Sequence, residues 1–223
     1  PTPPLRYVRA RMIREELQKS PSVTTAIYAA GYGSGSRFYE KANAVLGMPA
    51  RTYRNGGVGE TISYAISSCS LGKVLAARTD KGICAVFLAD RDDTLRRDLA
   101  TRFPRARIVE APKSMRRALS QVIAAIENPA TRAPLPLDVT GTVFQQRIWD
   151  ELRQIPAGET ISYAELARRI GAPKAVRAVG AACAANPACV LIPCHRVVAT
   201  DGKLTGYRWG VGRKRELLRR EQG

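Results

Sequence analysis

The run LIPCHRVV at residues 191–198 places a cysteine directly before a histidine, and His195 is the single histidine of the 223-residue chain. A thiol beside an imidazole can do nucleophilic chemistry: the thiolate attacks and the imidazole takes its proton. A free thiol has a pKa of about 8.5, so only a few per cent is thiolate at neutral pH. Cys194 therefore needs a relayed base or local positive charge. In an extended strand adjacent side chains point to opposite faces, so a strand here keeps Cys194 and His195 apart unless Pro193 introduces a turn, and a bridging water is the natural link. In the terminal run RKRELLRREQG, Glu221 shares a helical face with Leu217 and Leu218. Two readings fit that spacing: a carboxylate partner for His195 in a Cys–water–His–Glu relay, or a frayed terminal charge.

The remaining cysteines, at 69, 84, 183 and 189, form no CxxC pair. One histidine cannot complete a common zinc cluster, so reduced thiols with no metal and no cofactor are expected. Cys69 and Cys84 fall in apolar strand patterns and are expected to be buried and inert. Lys plus Arg number 36 against 19 Asp plus Glu, a formal charge of +17 spread along the whole chain. Such a surface favours polyanions through counterion release and steering. No apolar run reaches the length of a membrane span and no signal peptide is recognisable, so a cytoplasmic, nucleoid-associated monomer is expected.

The elements that must position the thiol lie on both sides of it. Ser162 and Glu165 read as a capping box opening a short helix that ends at Gly171, and Pro173 suits the first turn of the next helix, PKAVRAVGAACAAN. On that helix Val176, Val179 and Cys183 form one stripe, while Ala178, Ala181, Ala182 and Ala185 form another with Arg177 beside it. An alanine stripe suits a close helix–helix contact, or a helix stripped to methyl groups so that a crowded partner can approach. VLIPCHRVVATDGKLTGYRWG then predicts two short strands around Asp201-Gly202, so the end of the chain reads as a winged helix-turn-helix. Further upstream, ISYAISSCSLGKVLAARTDKGICAVFLAD predicts three strands, and helices are expected near 92–102 and 113–127. GETISYA occurs at 59–65 and 158–164, but the following residues diverge at once, so it is no repeat.

Residues 1–56 read as helix, glycine turn, helix in a basic setting. The run AAGYGSGSRFYEKANAVLGMPARTYR resembles the second helix-turn-helix of AraC-type regulators. The chain opens inside what resembles the joining helix of that family, so the first motif is expected to be missing and the segment to be partial. NGGVG at 55–59 reads as a linker.

IPCHRVV, with RAVGAACAANP before it and GYRWGVGRKRELLRRE after it, resembles the active site of O6-alkylguanine-DNA alkyltransferases over roughly residues 140–223. The preceding block, 60–139, resembles their ribonuclease-H-like N-terminal domain. The resemblance implies an α+β multidomain protein: a partial AraC-like segment (1–56), a ribonuclease-H-like domain (60–139) and a winged helix-turn-helix catalytic domain (140–223). It also implies one-step transfer of an alkyl group from O6-alkylguanine in double-stranded DNA to Cys194, once per molecule. His195 would deprotonate Cys194 through water, Glu221 would orient His195, and Asn186 would brace the turn that bears them. Tyr163 would donate a proton to the departing guanine. Arg177 would fill the gap left by a flipped nucleotide, with Ala178 on the approaching face. Backbone groups around Cys194, Val197 and Arg208 would read the guanine edge, and Tyr207 would wall the pocket. The four-cysteine zinc module that some relatives carry for phosphotriesters finds none of its cysteines here. A cysteine hydrolase fits less well, because Cys and His are adjacent and no second histidine exists. A DNA-binding regulator without alkyl transfer would explain the charge but not PCHRV.

Overall fold

A computed structural model describes residues 60–129, 134–204 and 206–222; the helix-turn-helix expected within 1–56 and the linker after it lie outside the described residues. The chain adopts the mixed α+β fold expected from its sequence.

Strands β1 (Thr61–Cys69), β2 (Gly72–Arg78) and β3 (Ile83–Ala89) form an antiparallel meander, as the three apolar runs predict. Helix α1 (Asp92–Arg102) then carries the chain to β4 (Arg107–Glu110), which pairs parallel with β1, giving the sheet order β3-β2-β1-β4. Helix α2 (Pro112–Glu127) starts on a proline, whose missing N–H costs nothing in the first turn. It packs over β1 and β2 through Met115, Leu119, Val122 and Ile126. Each of these contributes roughly 1.5–3 kcal/mol by leaving water.

Strand β3 is buried along its whole length. Its outer edge is covered by the chain itself. Ile83 N–H donates to Pro136 O (2.7 Å) and Asp138 N–H to Ile83 O (2.8 Å), while Val86 N–H donates to Pro187 O (2.8 Å) and Cys189 N–H to Val86 O (3.1 Å). The sheet edge therefore anchors the segment directly after Asn186.

The second half begins with α3 (Val143–Leu152), capped by a reciprocal Thr142–Gln145 box that the sequence reading passed over. Trp149 Nε1–H donates to Ala182 O at 3.0 Å and ties α3 to α5 (Val176–Ala184). Between them, β5 (Ile161–Ser162) leads into α4 (Tyr163–Arg169). The expected capping box there is half formed. Ser162 accepts the Glu165 N–H at 3.0 Å, but the Glu165 carboxylate turns to Arg168 and Arg169, two nearby cations that outbid a single N–H. Gly171, with φ +67°, ends the helix, and Pro173 lies in the turn before α5, not in its first turn.

Two expectations are corrected. Residues 194–196 form a 3₁₀ turn, not a strand, because Arg196 N–H closes onto Pro193 O (3.1 Å). The paired strands around Asp201-Gly202 do not form among the described residues. β6 is only Val197–Val198, and it pairs parallel with β5 instead, leaving a turn closed by Ala199 N–H to Lys203 O. Helix α6 (Val211–Glu221) closes the molecule by packing on the 3₁₀ turn.

Candidate active site

The 3₁₀ turn, α6 and the N-terminus of α4 converge on Cys194. Its thiol is 4% exposed and lies at the wall of a cleft of about 420 Å³ lined also by Tyr163, Arg177, Cys183, Tyr207 and Arg208. Asn186, fully buried, organises this turn with its amide. Nδ2 donates to Ile192 O (2.7 Å) and to Cys194 Sγ (3.1 Å), and Oδ1 accepts from Ala188 N–H (2.9 Å). The chain reverses between those contacts through Val190, whose φ is +67°. A β-branched residue in the left-handed region costs about 1–3 kcal/mol, and the Asn186 bonds with the β3 edge hold it there.

Behind the thiol is a buried ionic cluster. His195 is fully buried, and its Nε2–H donates to Glu221 Oε1 at 2.9 Å. Arg196 donates to the same carboxylate from Nε (3.0 and 3.1 Å) and Nη2 (2.8 Å), and Gly158 N–H adds a further bond at 3.1 Å. Arg196 also reaches Ile155 O and Pro129 O. Glu221 is thus no frayed terminal charge: its side chain is 0% exposed. Burial alone would raise its pKa, but the hydrogen bonds from His195 and Arg196 hold it at about 2. An ionised carboxylate can only accept, so the proton sits on Nε2 and the lone pair of His195 is on Nδ1. Nδ1 is buried with no hydrogen-bond partner among the described residues. Burial depresses the His195 pKa below its ordinary 6.5, partly opposed by Glu221. Burial likewise pushes the Cys194 thiol up to about 11, opposed by the Asn186 bond and by Lys214. At rest the site therefore holds a neutral thiol, a neutral imidazole with a free lone pair, and a charged carboxylate.

Lys214 and Arg196 are the functional candidates that the sequence reading missed. Lys214 is fully buried, donates from Nζ to Val197 O (2.6 Å) and lies 5.8 Å from the centre of the Tyr163 ring. Its signal was present: residues 214, 217, 218 and 221 share one helical face at i, i+3, i+4 and i+7, so a lysine opens the stripe that Glu221 closes. Arg196 gave no periodic signal, because its place depends on the turn.

The other expected residues divide. Tyr163, Tyr207 and Arg208 line the cleft with Cys194, and exposed Arg177 stands at its edge on α5. Tyr207 packs edge-on against Trp209 (centroids 5.2 Å apart). Val197 is buried and outside the cleft lining, with its N–H on Cys194 O and its carbonyl on Lys214. Ala178 is likewise not in the lining; with Ala181 and Ala184 it faces solvent, whereas Ala182 turns inward. The predicted alanine stripe is therefore split between core and surface. Of the other thiols, Cys84 is buried, with its pKa pushed up to about 12 by burial, but Cys69 is only half-buried, being the last residue of β1. Among the described residues no three metal-ligating side chains come together, and no helix is long and apolar enough to cross a membrane.

Known proteins share this chain's sequence and fold. Residues 143–223 match the family model described as 6-O-methylguanine DNA methyltransferase, DNA binding domain. The Escherichia coli bifunctional transcriptional activator/DNA repair enzyme Ada is 51% identical over 213 residues, 96% of this chain; the chain spans 60% of that relative's length. A methylated-DNA–protein-cysteine methyltransferase of Mycolicibacterium paratuberculosis is 42% identical over 147 residues, covering 64% of this chain and 89% of the relative. The crystal structure of Mycobacterium tuberculosis OGT in complex with DNA superposes with a TM-score of 0.62 at 36% identity, covering 72% of this chain and 92% of that one. With most of one such relative's length matched at 42% identity and the same fold recovered, the chain belongs to the methylated-DNA–protein-cysteine methyltransferase family.

Proposed function

We propose that this chain repairs alkylated DNA by direct reversal, moving an alkyl group from O6 of guanine in duplex DNA to Sγ of Cys194. The observation that carries the reading is the Cys194 thiol at the wall of a cleft, in the turn that also carries a buried His195–Glu221–Arg196 cluster.

The geometry supports the following residue roles. Nδ1 of His195, with its lone pair exposed by the Glu221 bond, takes the thiol proton through a bridging water. Buried Lys214 and the Asn186 amide stabilise the thiolate as it forms. The sulfur lone pair then forms the S–C bond while the C–O pair stays on the guanine oxygen. Tyr163 at the cleft wall donates a proton to the departing base, lowering the barrier as a general acid. The thioether has no leaving route, so each molecule acts once.

Reaching O6 requires the nucleotide to leave the stack, at a cost of roughly a few kcal/mol. Arg177 fills the vacated space, and the exposed Ala178, Ala181 and Ala184 face lets α5 approach the minor groove closely. Tyr207 walls the pocket, and backbone groups at Cys194 and Arg208 read the guanine edge. Val197 reads it with them: its carbonyl accepts from Lys214 with one lone pair and keeps the other for the base. The finer architecture belongs to the same proposal: a partial AraC-like segment at 1–56, a ribonuclease-H-like domain at 60–139 and a winged helix-turn-helix domain at 140–223, acting as a cytoplasmic monomer on the nucleoid. The β3-β2-β1-β4 sheet, with its parallel β4, and the α4–α5 pair before the β6 turn support that division.

The test is to mix the protein with duplex DNA containing O6-methylguanine and map its peptides. One methyl group on the Cys194 peptide, in amounts that stop at one per molecule, is expected. No gain on that peptide overturns the reading, and repeated turnover overturns the single-use mechanism. A DNA-binding regulator without alkyl transfer would leave the buried Cys194–His195–Glu221 arrangement without a purpose.

A further inference from the structure

Arg208, which lines the cleft, and Arg102, at the end of α1, have no carboxylate partner among the described residues. Arg208 is exposed, and no hydrogen bond or ion pair joins its guanidinium to any described residue. Its contacts are aromatic: the guanidinium carbon lies 5.2 Å from the centre of the Phe87 ring and 5.9 Å from that of Trp209. Phe87 is fully buried in β3 and Trp209 is 4% exposed, so both rings are rigid supports. Arg102, at the end of α1, donates to Thr140 O (2.8 Å) and has no carboxylate partner among the described residues. Burial, and next the neighbouring Arg208 charge, lower its pKa. Neither guanidinium is paired with a carboxylate among the described residues, and the two come from opposite halves of the chain. Across the cleft stands Arg177.

A cleft lined by charges of one sign, here Arg177 and Arg208, concentrates anions at its mouth. Aromatic contacts use the flat faces of a guanidinium and leave its in-plane N–H groups to donate, and that fork matches a phosphate. From this placement we infer that the Arg208 side chain, seated on Phe87 and Trp209 at the cleft, clamps one backbone phosphate of the DNA strand that delivers its nucleotide to the cleft. The contact is distinct from the backbone reading of guanine at the same residue. It rests on the proposed DNA-repair reading and adds a polyanion contact contributed jointly by the sheet and the cleft loop. Arg208 is a positioning residue: it holds the strand, and the chemistry remains with Cys194.

The test uses the whole chain and duplexes carrying one O6-methylguanine, with binding followed by anisotropy over a range of salt. Each phosphate neutralised adds about 0.9 to the slope of log affinity against log salt. Arg208→Ser is expected to lower that slope by about 0.9 and to weaken binding roughly tenfold at low salt. Arg208→Lys, which keeps the charge, is expected to retain the slope. A second series replaces single phosphates around the lesion by neutral methylphosphonates. One position is expected to weaken binding by wild type and leave Arg208→Ser unaffected. A wild-type slope in Arg208→Ser, or equal sensitivity of both proteins at every phosphate, overturns the inference. If wild-type protein itself leaves Cys194 unmethylated, the functional reading fails instead, so the two failures are distinguishable.

Discussion

Replacing Glu221 by Gln tests the centre of the site, because it keeps the shape and removes the charge. In the folded chain the carboxylate has its pKa near 2, against an ordinary 4.5. A carboxylate with a depressed folded pKa stabilises the fold fully above its unfolded value, and that stabilisation disappears as pH falls towards the folded one. The shift corresponds to about 3 kcal/mol at pH 7 and about 1 kcal/mol at pH 3. Losing one partner of a buried ion pair costs about 3–5 kcal/mol, which agrees in size. Arg196 would be left buried without its counter-charge, since its remaining partners are carbonyls. Glu221→Gln should therefore lower the urea midpoint at pH 7 by roughly 1–3 M, with the gap to wild type narrowing at pH 3. The amide N–H₂ facing Nε2 would also move the imidazole proton to Nδ1, removing the lone pair that serves the thiol. Methyl transfer by the folded variant should fall by about 10²–10⁴. Tryptophan fluorescence in urea at both pH values and a single-turnover transfer assay measure these effects. A wild-type midpoint at pH 7, a gap that does not narrow at pH 3, or an unchanged transfer rate would refute the reasoning.

Three further outcomes are expected. Asn186→Ala strips the donor from Ile192 O and Cys194 Sγ and the acceptor from Ala188 N–H, so stability should drop by about 2–5 kcal/mol in denaturant unfolding, with slower transfer. Because burial depresses the His195 pKa, its base form persists below the ordinary imidazole range; the transfer rate should stay level from pH 7.5 to 6.5, and a fall centred at or above 6.5 would contradict this. Gly82→Ala puts a Cβ 2.5 Å from Pro136 O, whose bond with Ile83 N–H prevents retreat, so a loss of about 1–3 kcal/mol in urea unfolding is expected.

The three strands, α1 and α2 were legible because their apolar periods of 2 and 3.6 are local properties of the chain. Short elements were not. Val197–Val198 is too brief to show a period, and it pairs with Ile161–Ser162, some 36 residues away, a choice made by packing. The split of the alanines on α5 is also tertiary, since α3 and α4 decide which methyl groups are covered. At the site, the pairing of a unique histidine with a cysteine, and of Glu221 with an apolar helical face, was visible from composition and spacing. Arg196 escaped notice, because only the 3₁₀ turn after Pro193 rotates it inward beside His195.

By itself, then, the sequence determined which groups could react: one thiol beside one imidazole, a carboxylate near the C-terminus, and a basic chain suited to a polyanion. Only the tertiary structure decided their states. Burial raises Cys194 and lowers His195, while Arg196 and His195 together keep Glu221 charged. It also decided that Lys214 lies beneath Tyr163 and that Arg208 rests on Phe87 from the other half of the chain. The physical reason is that pKa and ion pairing depend on distance and dielectric, which long-range packing sets and local sequence does not carry.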